Sequence, residues 1–102
     1  MKKTRIFRNA DIKAIYIGSP KGHKHLRLII DTGDEVLVFQ EATLAAVSRG
    51  YVVIKTHPSK EAIKLELKKL VERKEGYAEY QLIESDKSDE EVIREISKIL
   101  EI

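Results

Sequence analysis

The apolar residues of the first forty positions fall into short runs that are typical of β-strands. Residues 12–17, 25–30 and 35–40 are rich in β-branched and aromatic side chains, which favour the pleated backbone of a strand. Between the last two runs, residues 31–34 read Asp-Thr-Gly-Asp. This sequence predicts a hairpin turn, because Gly reaches positive φ at no steric cost. We therefore expect a three-stranded antiparallel meander, preceded by a short strand at 4–8.

From residue 41 onward, the spacing of apolar residues changes to one that indicates helices and separate strands. An Ala-rich segment at 42–49 predicts a short helix ending at Gly50, and the apolar run 51–55 predicts a central strand. A second helix is expected over 60–75, with Ser59 as its N-cap. The positions that indicate its apolar face are Ile63, Leu67, Leu70 and Val71.

The last quarter of the chain predicts one strand and one helix. Residues 77–83 are expected to form the strand. Ser88, with Glu91 three positions later, matches the capping box that begins a helix. Because the segments 51–55 and 77–83 flank a predicted helix, we expect two parallel strands joined by a right-handed crossover.

These elements predict an α+β fold in a single domain that covers residues 1–102. Its expected architecture is the N-terminal three-stranded antiparallel meander followed by αβαβα. The strands would form a mixed sheet of about five strands, with the helices mainly on one face. A chain of 102 residues with 42% hydrophobic side chains can bury one core without disulfides.

Composition predicts the growth temperature of the source and the location of the protein in the cell. Lys, Glu and Ile are the three commonest residues, whereas Asn, Gln and Met are scarce and Cys is absent. This bias is found in proteins of hyperthermophiles, so we expect a thermophilic, archaeal source. Without Cys there is no disulfide and no Cys-bound zinc. The lack of a long apolar run indicates a soluble cytoplasmic protein with no membrane partner.

Charge is distributed unevenly along the chain. Residues 1–34 hold eight Lys and Arg against three Asp, a net charge of +5. Residues 58–102 hold nine basic and twelve acidic side chains, a net charge of −3. A basic end beside an acidic end indicates either an anionic partner for the first or head-to-tail association between copies.

The strongest candidate for a functional site is the loop 18–25, which joins two predicted strands. It reads Gly-Ser-Pro-Lys-Gly-His-Lys-His, so its backbone can approach a phosphate closely and its cations can neutralise one. Tyr16 offers a ring for base stacking. The candidate phosphate-binding residues are Lys21, Lys24 and Arg27, flanked by Arg5 and Arg8, with His23 and His25 as further contacts. The alternative is a solvated surface loop, because Gly, Pro and Lys are common in such loops.

Metal and catalytic chemistry are weakly indicated. His23 and His25 could share one side of an extended segment and bind zinc with His57 or a carboxylate as a third ligand. Isolated histidines in a lysine-rich loop are usually solvated, so we expect no metal and no cofactor. No nucleophile accompanied by a base and an oxyanion site is apparent. A further basic stripe interleaves with Glu on the predicted helix 60–75, which favours an ion-paired face. It consists of Lys60, Lys64 and Lys68.

Three classes of function are consistent with this sequence. The first is a small binding module that contacts nucleic acid or another polyanion through the basic N-terminal strands and the loop 18–25. The second is a homo-oligomeric or partner-binding protein, in which the basic and acidic ends meet or a sheet edge pairs with its symmetry mate. The third is a small-molecule enzyme, which would need a deep pocket with perturbed titratable groups.

Overall fold

The computed structural model describes residues 2–69 and 80–102, and the chain divides into two compact units. The N-terminal unit covers 1–45 and the C-terminal unit covers 46–102. The α+β class is confirmed, whereas the single domain stays a prediction. The elements are β1 (Ala14–Gly18), β2 (Arg27–Asp31), β3 (Val36–Gln40), α1 (Glu41–Thr56), β4 (Leu65–Lys69), β5 (Tyr80–Glu84) and α2 (Asp89–Leu100).

The N-terminal unit contains the predicted meander, with antiparallel strands in the order β1-β2-β3. Directly opposite residues in an antiparallel sheet share a face, so the register assigns each side chain to one side. The first side, here called the apolar face, consists of Ile15, Ile17, Leu28, Ile30, Leu37 and Phe39. The second side, here called the mixed face, includes Tyr16, Gly18, Arg27, Ile29, Val38 and Gln40.

The hairpin between β2 and β3 forms where the sequence predicts it. Gly33 adopts a φ of +92° and donates its N–H to Asp31 Oδ1 at 2.8 Å. The Thr32 N–H and hydroxyl both bond to the Glu35 carbonyl. A Cβ at Gly33 would lie 3.0 Å from Cε of Lys13, so both the backbone conformation and the neighbouring side chain favour glycine here.

The short strand expected at 4–8 is wrong. Those residues enter no sheet, and a 3-10 turn follows at Asn9–Asp11. Asp11 holds this turn because its carboxylate accepts the backbone N–H of Arg8 at 2.9 Å and also bonds the Arg8 guanidinium. Local side-chain bonds of this kind compete with pairing into a sheet.

The helix expected at 42–49 and the strand expected at 51–55 are both wrong, because α1 runs without interruption from Glu41 to Thr56. Gly50 lies inside this helix and is not among the glycines with positive φ. The helix ends at Thr56, shortly before Pro58, because a proline disfavours helical backbone at the residue that precedes it. At this end, the Thr56 hydroxyl donates to the Val52 carbonyl at 2.7 Å.

The helix expected over 60–75 is wrong for residues 60–69, and the rest of it lies outside the described residues. Residues 60–64 belong to no helix, and β4 follows at Leu65–Lys69. Leu65 and Leu67 alternate with Glu66 and Lys68, which is the period of a strand. Ser59 therefore caps no helix.

The parallel crossover and the mixed five-stranded sheet are also wrong for the described residues. β4 pairs antiparallel with β5, and these two strands form a sheet separate from the β1-β2-β3 sheet. The expected strand 77–83 is found from Tyr80 onward, and residues 77–79 lie outside the described residues. The described part of the chain after residue 40 consequently contains a long helix, an antiparallel pair of strands and a final helix instead of αβαβα.

The final helix is confirmed as the capping box predicts. Ser88 is extended and its hydroxyl accepts the Glu91 N–H at 3.3 Å, while Asp89, Glu90 and Glu91 occupy the first turn, where the helix dipole favours acids. The helix ends at Glu101, whose left-handed backbone has a φ of 57°.

Burial is sparse in the described part of the chain. Ala46, Ala62 and Val92 are the buried residues, at 2%, 3% and 4% exposure, and all three belong to the C-terminal unit. Within residues 2–45 no side chain reaches the buried class. The N-terminal sheet is therefore an apolar surface that remains largely in contact with solvent.

Candidate functional site

The loop between β1 and β2 is organised by a tight turn at its tip. His23 N donates to the Pro20 carbonyl at 2.9 Å, and Gly22 has a φ of +86°. This bond closes a four-residue turn from Pro20 to His23, in which Gly22 occupies the third, left-handed position that favours glycine. Lys21 lies within the turn and Lys24 follows it, so the two lysines are displayed at the end of a hairpin.

The base of this loop is fixed by bonds that hold its last residues. The Leu26 N–H donates to Oε1 of Glu41 at 2.7 Å. The Arg27 guanidinium donates to the His25 carbonyl at 2.9 Å and more weakly to the Leu26 carbonyl at 3.4 Å. His25 Nδ1 lies 4.0 Å from the same Glu41 oxygen. Arg27 thus positions the loop through one nitrogen, and within residues 2–69 and 80–102 its other guanidinium donors form no hydrogen bond.

Three predicted site residues are displayed without a counter-ion. Lys21, His23 and Lys24 are exposed, and within residues 2–69 and 80–102 they form no ion pair. Arg27 also has no carboxylate partner there, although it is half-buried. These four residues form a group that we call the cationic loop, and it carries a charge that the described structure does not neutralise.

Arg5 and Arg8 differ from the cationic loop because both are already paired. Arg5 forms an ion pair with Glu35 and lies 4.9 Å above the ring of Phe7. Arg8 bonds the Asp11 carboxylate, and this hydrogen bonding lowers the pKa of Asp11 below its usual value. Arg5 and Arg8 therefore already have carboxylate partners, unlike Lys21 and Lys24 in the described part of the chain.

The mixed face brings Tyr16 next to the cationic loop. Arg27 lies opposite Gly18 and Gln40, and the adjacent row on the same face contains Tyr16, which is 58% exposed. A Cβ at Gly18 would meet nothing within 4 Å, so the end of this face is open. An exposed ring on the same face as a guanidinium can stack on a base while a neighbouring phosphate is neutralised.

Gln40 is the one member of this row that the sequence did not single out. Its amide shares the face with Arg27 and can donate and accept hydrogen bonds. The sequence could have identified Gln40, because a turn at 31–34 fixes the register of the two strands and places Arg27 and Gln40 opposite each other.

A shallow cleft lies on the other end of the N-terminal unit. It measures about 310 Å³. Its lining includes Arg5, Ile6, Phe7, Ala10, Asp11, Lys13, Thr32 and Asp34. The Thr32 hydroxyl is engaged with the backbone of Glu35, so it is not a free nucleophile.

The zinc hypothesis for the histidines can be examined in the described residues. No group of three or more His, Asp or Glu there is arranged to hold a metal ion. His57 Nδ1 lies 3.1 Å from the Val53 carbonyl and 3.2 Å from the Thr56 hydroxyl, so this histidine closes the end of α1.

Within residues 2–69 and 80–102, no helix has the length and apolar character needed to cross a membrane.

Two lysines of the predicted stripe, Lys60 and Lys64, form ion pairs in the C-terminal unit. Lys60 Nζ bonds Glu84 at 2.9 Å and Asp89 at 3.0 Å, which raises the pKa of Lys60. Lys64 Nζ bonds Glu95 at 2.8 Å, and this bond raises the pKa of Lys64 and lowers that of Glu95. The expected ion-paired helix face is wrong for the described residues, because these lysines are not helical and the partners of Lys60 and Lys64 are acids of other elements.

Comparison of the chain with protein-family models, with curated proteins and with solved structures finds no match. The function is therefore inferred from the surface chemistry of each unit taken by itself.

Proposed function

We propose that the chain binds single-stranded nucleic acid through the cationic loop and the neighbouring end of the mixed face. Lys21, Lys24 and Arg27 would neutralise phosphates, and Tyr16 would stack on a base. The observation that carries this proposal is that the exposed ring of Tyr16 and Arg27 share one face of a small sheet, next to a loop whose lysines form no ion pair within the described residues. Stacking on an exposed ring requires an unpaired base, which favours single strands over duplexes.

The electrostatic part of the proposal rests on contrast within the same unit. Arg5 and Arg8 are paired with carboxylates, whereas Lys21 and Lys24 have no carboxylate partner among the residues that the structure describes. An unpaired lysine gains more from a phosphate because it gives up no ion pair and releases condensed counter-ions. Contacts of this kind supply affinity with little sequence preference.

The experiment is a fluorescence-anisotropy titration of a labelled mixed-sequence DNA 20-mer with the full chain at several salt concentrations. Three phosphate contacts on a single strand predict that affinity falls about 20-fold between about 50 and about 200 mM KCl. A duplex of the same sequence should bind more weakly, since its bases cannot stack on Tyr16. Absence of binding to either form at the lowest salt would reject the proposal.

Paired variants localise the contacts. Lys21→Ala with Lys24→Ala should reduce the salt effect over the same range to about threefold, because one phosphate contact remains. The matched control removes the same charge elsewhere through Lys68→Ala with Lys98→Ala, two exposed lysines of the C-terminal unit. Equal losses in the two double variants would show general charge attraction and contradict a site at the loop.

Tyr16 is tested by a second matched pair. Tyr16→Ala should weaken binding by about 5- to 150-fold, the range expected for loss of one base–aromatic stack. Tyr16→Phe keeps the ring and should bind almost as tightly as the unaltered chain. If Tyr16→Ala binds as well as Tyr16→Phe, stacking on this ring is not part of the interaction.

A further inference from the structure

The outer edge of β1 is an unprotected sheet edge. In the described part of the chain, β1 pairs with β2 alone. Natural edge strands are usually blunted by Lys, Pro, a bulge or a covering segment. The five residues Ala14–Gly18 contain none of these, and Ile15, Tyr16 and Ile17 are 55%, 58% and 60% exposed. Such an edge is suited to pairing with another strand.

We propose that β1 pairs antiparallel with β1 of a second copy of this chain, around a two-fold axis that passes perpendicular to the sheet at Tyr16. The strand reads Ala-Ile-Tyr-Ile-Gly, which is the same in both directions apart from its small end residues. In this register Ile15 lies opposite Ile17 of the second copy, and the two Tyr16 side chains are neighbours. Isologous pairing needs a self-complementary edge of this kind.

Neighbouring registers of the same pairing are disfavoured by the flanking residues. An axis at Ile17 would place Lys13 opposite Lys21 of the second copy, and directly opposed like charges are destabilising. An axis at Ile15 would place Lys13 opposite Ile17. With the axis at Tyr16, Lys13 instead lies opposite the neutral Ser19, and every apolar residue of the strand meets an apolar or small one.

The other edge of the sheet fails the same comparison. β3 also pairs with β2 alone in the described residues, and a two-fold axis at Val38 would match Leu37 with Phe39. However, it would also place Glu35 opposite Glu41 of the second copy, because these acids flank the strand symmetrically. Glu41 is moreover engaged with the Leu26 N–H at 2.7 Å. Charge therefore selects β1 over β3 as the self-pairing edge.

The resulting assembly would be a six-stranded sheet made of two N-terminal units. Because the axis is perpendicular to the sheet, the apolar face of one copy continues into the apolar face of the other. The pairing does not depend on nucleic-acid binding, so either proposal can fail without the other.

Sedimentation velocity of the full chain is the first measurement. As the concentration rises from about 5 to about 500 µM, the sedimenting mass should shift from one chain of 11.7 kDa to twice that mass. Ile17→Lys should abolish the shift by placing a charge opposite Ile15 of the second copy. Val38→Lys is the matched control, because Val38 is also 60% exposed but lies on the other edge, and it should leave the shift intact.

Cross-linking provides a second measurement, which does not require that Ile17→Lys and Val38→Lys fold normally. The chain contains no cysteine, so a single introduced thiol is unambiguous. Tyr16→Cys should give a covalent dimer in high yield with a short bismaleimide, whereas Val38→Cys should not. Circular dichroism of each variant verifies that the strands are retained.

Several results would overturn this inference. A chain that stays monomeric at the highest concentration would exclude the pairing, as would a dimer that Val38→Lys abolishes and Ile17→Lys preserves. Growth beyond the dimer would indicate heterologous pairing of β1 with β3, which makes an open filament. Equal cross-linking of Tyr16→Cys and Val38→Cys would show collision without a specific interface.

Discussion

The two units of this chain differ in the ion pairing of four lysines and in where the buried side chains lie. In the C-terminal unit, Lys60 and Lys64 are ion-paired with Glu84, Asp89 and Glu95, and Ala62 and Val92 are buried. In the N-terminal unit, Lys21 and Lys24 have no such partner within the described residues, and both faces of the sheet are partly exposed.

This difference indicates where the chain is suited to interact. Charges already compensated within a unit gain little from a partner, because binding must replace existing bonds. Unpaired cations and an apolar sheet surface can gain new contacts without that loss. Lys21 and Lys24 can therefore gain more from an anionic partner than Lys60 and Lys64 can.

The largest effect that would sharpen this contrast is loss of buried volume. Val92→Ala should destabilise the chain by about 2 kcal/mol, because two buried methyl groups are removed and a cavity remains. Val38→Ala, at a position 60% exposed, should change stability by less than about 0.5 kcal/mol. Urea unfolding followed by circular dichroism measures both. Similar losses in the free energy of unfolding for the two variants would contradict the difference in burial between these two positions.

The next effect concerns the turn that holds the N-terminal sheet together. Gly33→Ala should cost about 1–2 kcal/mol, because the backbone there is left-handed and Lys13 lies close to the added methyl group. Gly18→Ala is the control, since nothing lies within 4 Å of its added Cβ and its φ is not positive. Thermal unfolding should show a lower midpoint for Gly33→Ala alone; equal midpoints would contradict the strained turn.

A smaller effect is expected at the start of α2. Ser88→Ala should destabilise the C-terminal unit by about 1 kcal/mol, because the Glu91 N–H loses its acceptor. Ser88→Asp keeps an acceptor and should retain most of the stability. Amide hydrogen exchange in α2 reports the change directly, and unaltered protection in Ser88→Ala would mean that the cap is not stabilising.

The smallest effect is a pH dependence of the C-terminal unit. The Glu61 N–H and Lys60 lower the pKa of Asp89, and Lys64 and Lys87 lower that of Glu95. Each lowered pKa contributes stability above the ordinary carboxyl range near pH 4, and this stability is lost as the pH falls through the folded value. The raised pKa values of Lys60 and Lys64 contribute stability below about pH 10 that is lost as the pH rises further.

Thermal unfolding between pH 2 and pH 7 checks this dependence. Glu95→Gln should make the acid-side decline shallower, whereas Glu101→Gln, at an exposed position, should leave it unchanged. Identical acid-side curves for the unaltered chain and Glu95→Gln would contradict a contribution from this carboxylate.

Elements specified by neighbouring residues could be predicted from the sequence. The hairpin at Gly33 depends on a left-handed glycine and the adjacent Asp31, and α2 begins with bonds within its own first turn. Gly50 shows the limit of local reasoning, because a glycine can end a helix or lie within one. Its neighbours Leu44, Val47, Tyr51 and Ile54 continue the helical spacing through it.

Elements decided by distant contacts could not be predicted. Leu67 fits both a helical spacing with Ile63 and a strand alternation with Leu65, and pairing with Leu82 on β5 decides for the strand. The basic residues of the cationic loop and the aromatic ring of Tyr16 could be identified from the sequence. The pairing of Arg5 with Glu35 was not, since thirty positions separate them and only the meander brings them together.

The small size of the buried side chains has a calorimetric consequence. The heat-capacity increment of unfolding comes mainly from apolar area that becomes wetted. Ala46, Ala62 and Val92 are the buried residues of the described chain, so a single copy has little such area to release. Its increment should fall below about 1.2 kcal/mol/K, the lower end for a 100-residue domain, and its stability should vary only gently across a broad span of temperature.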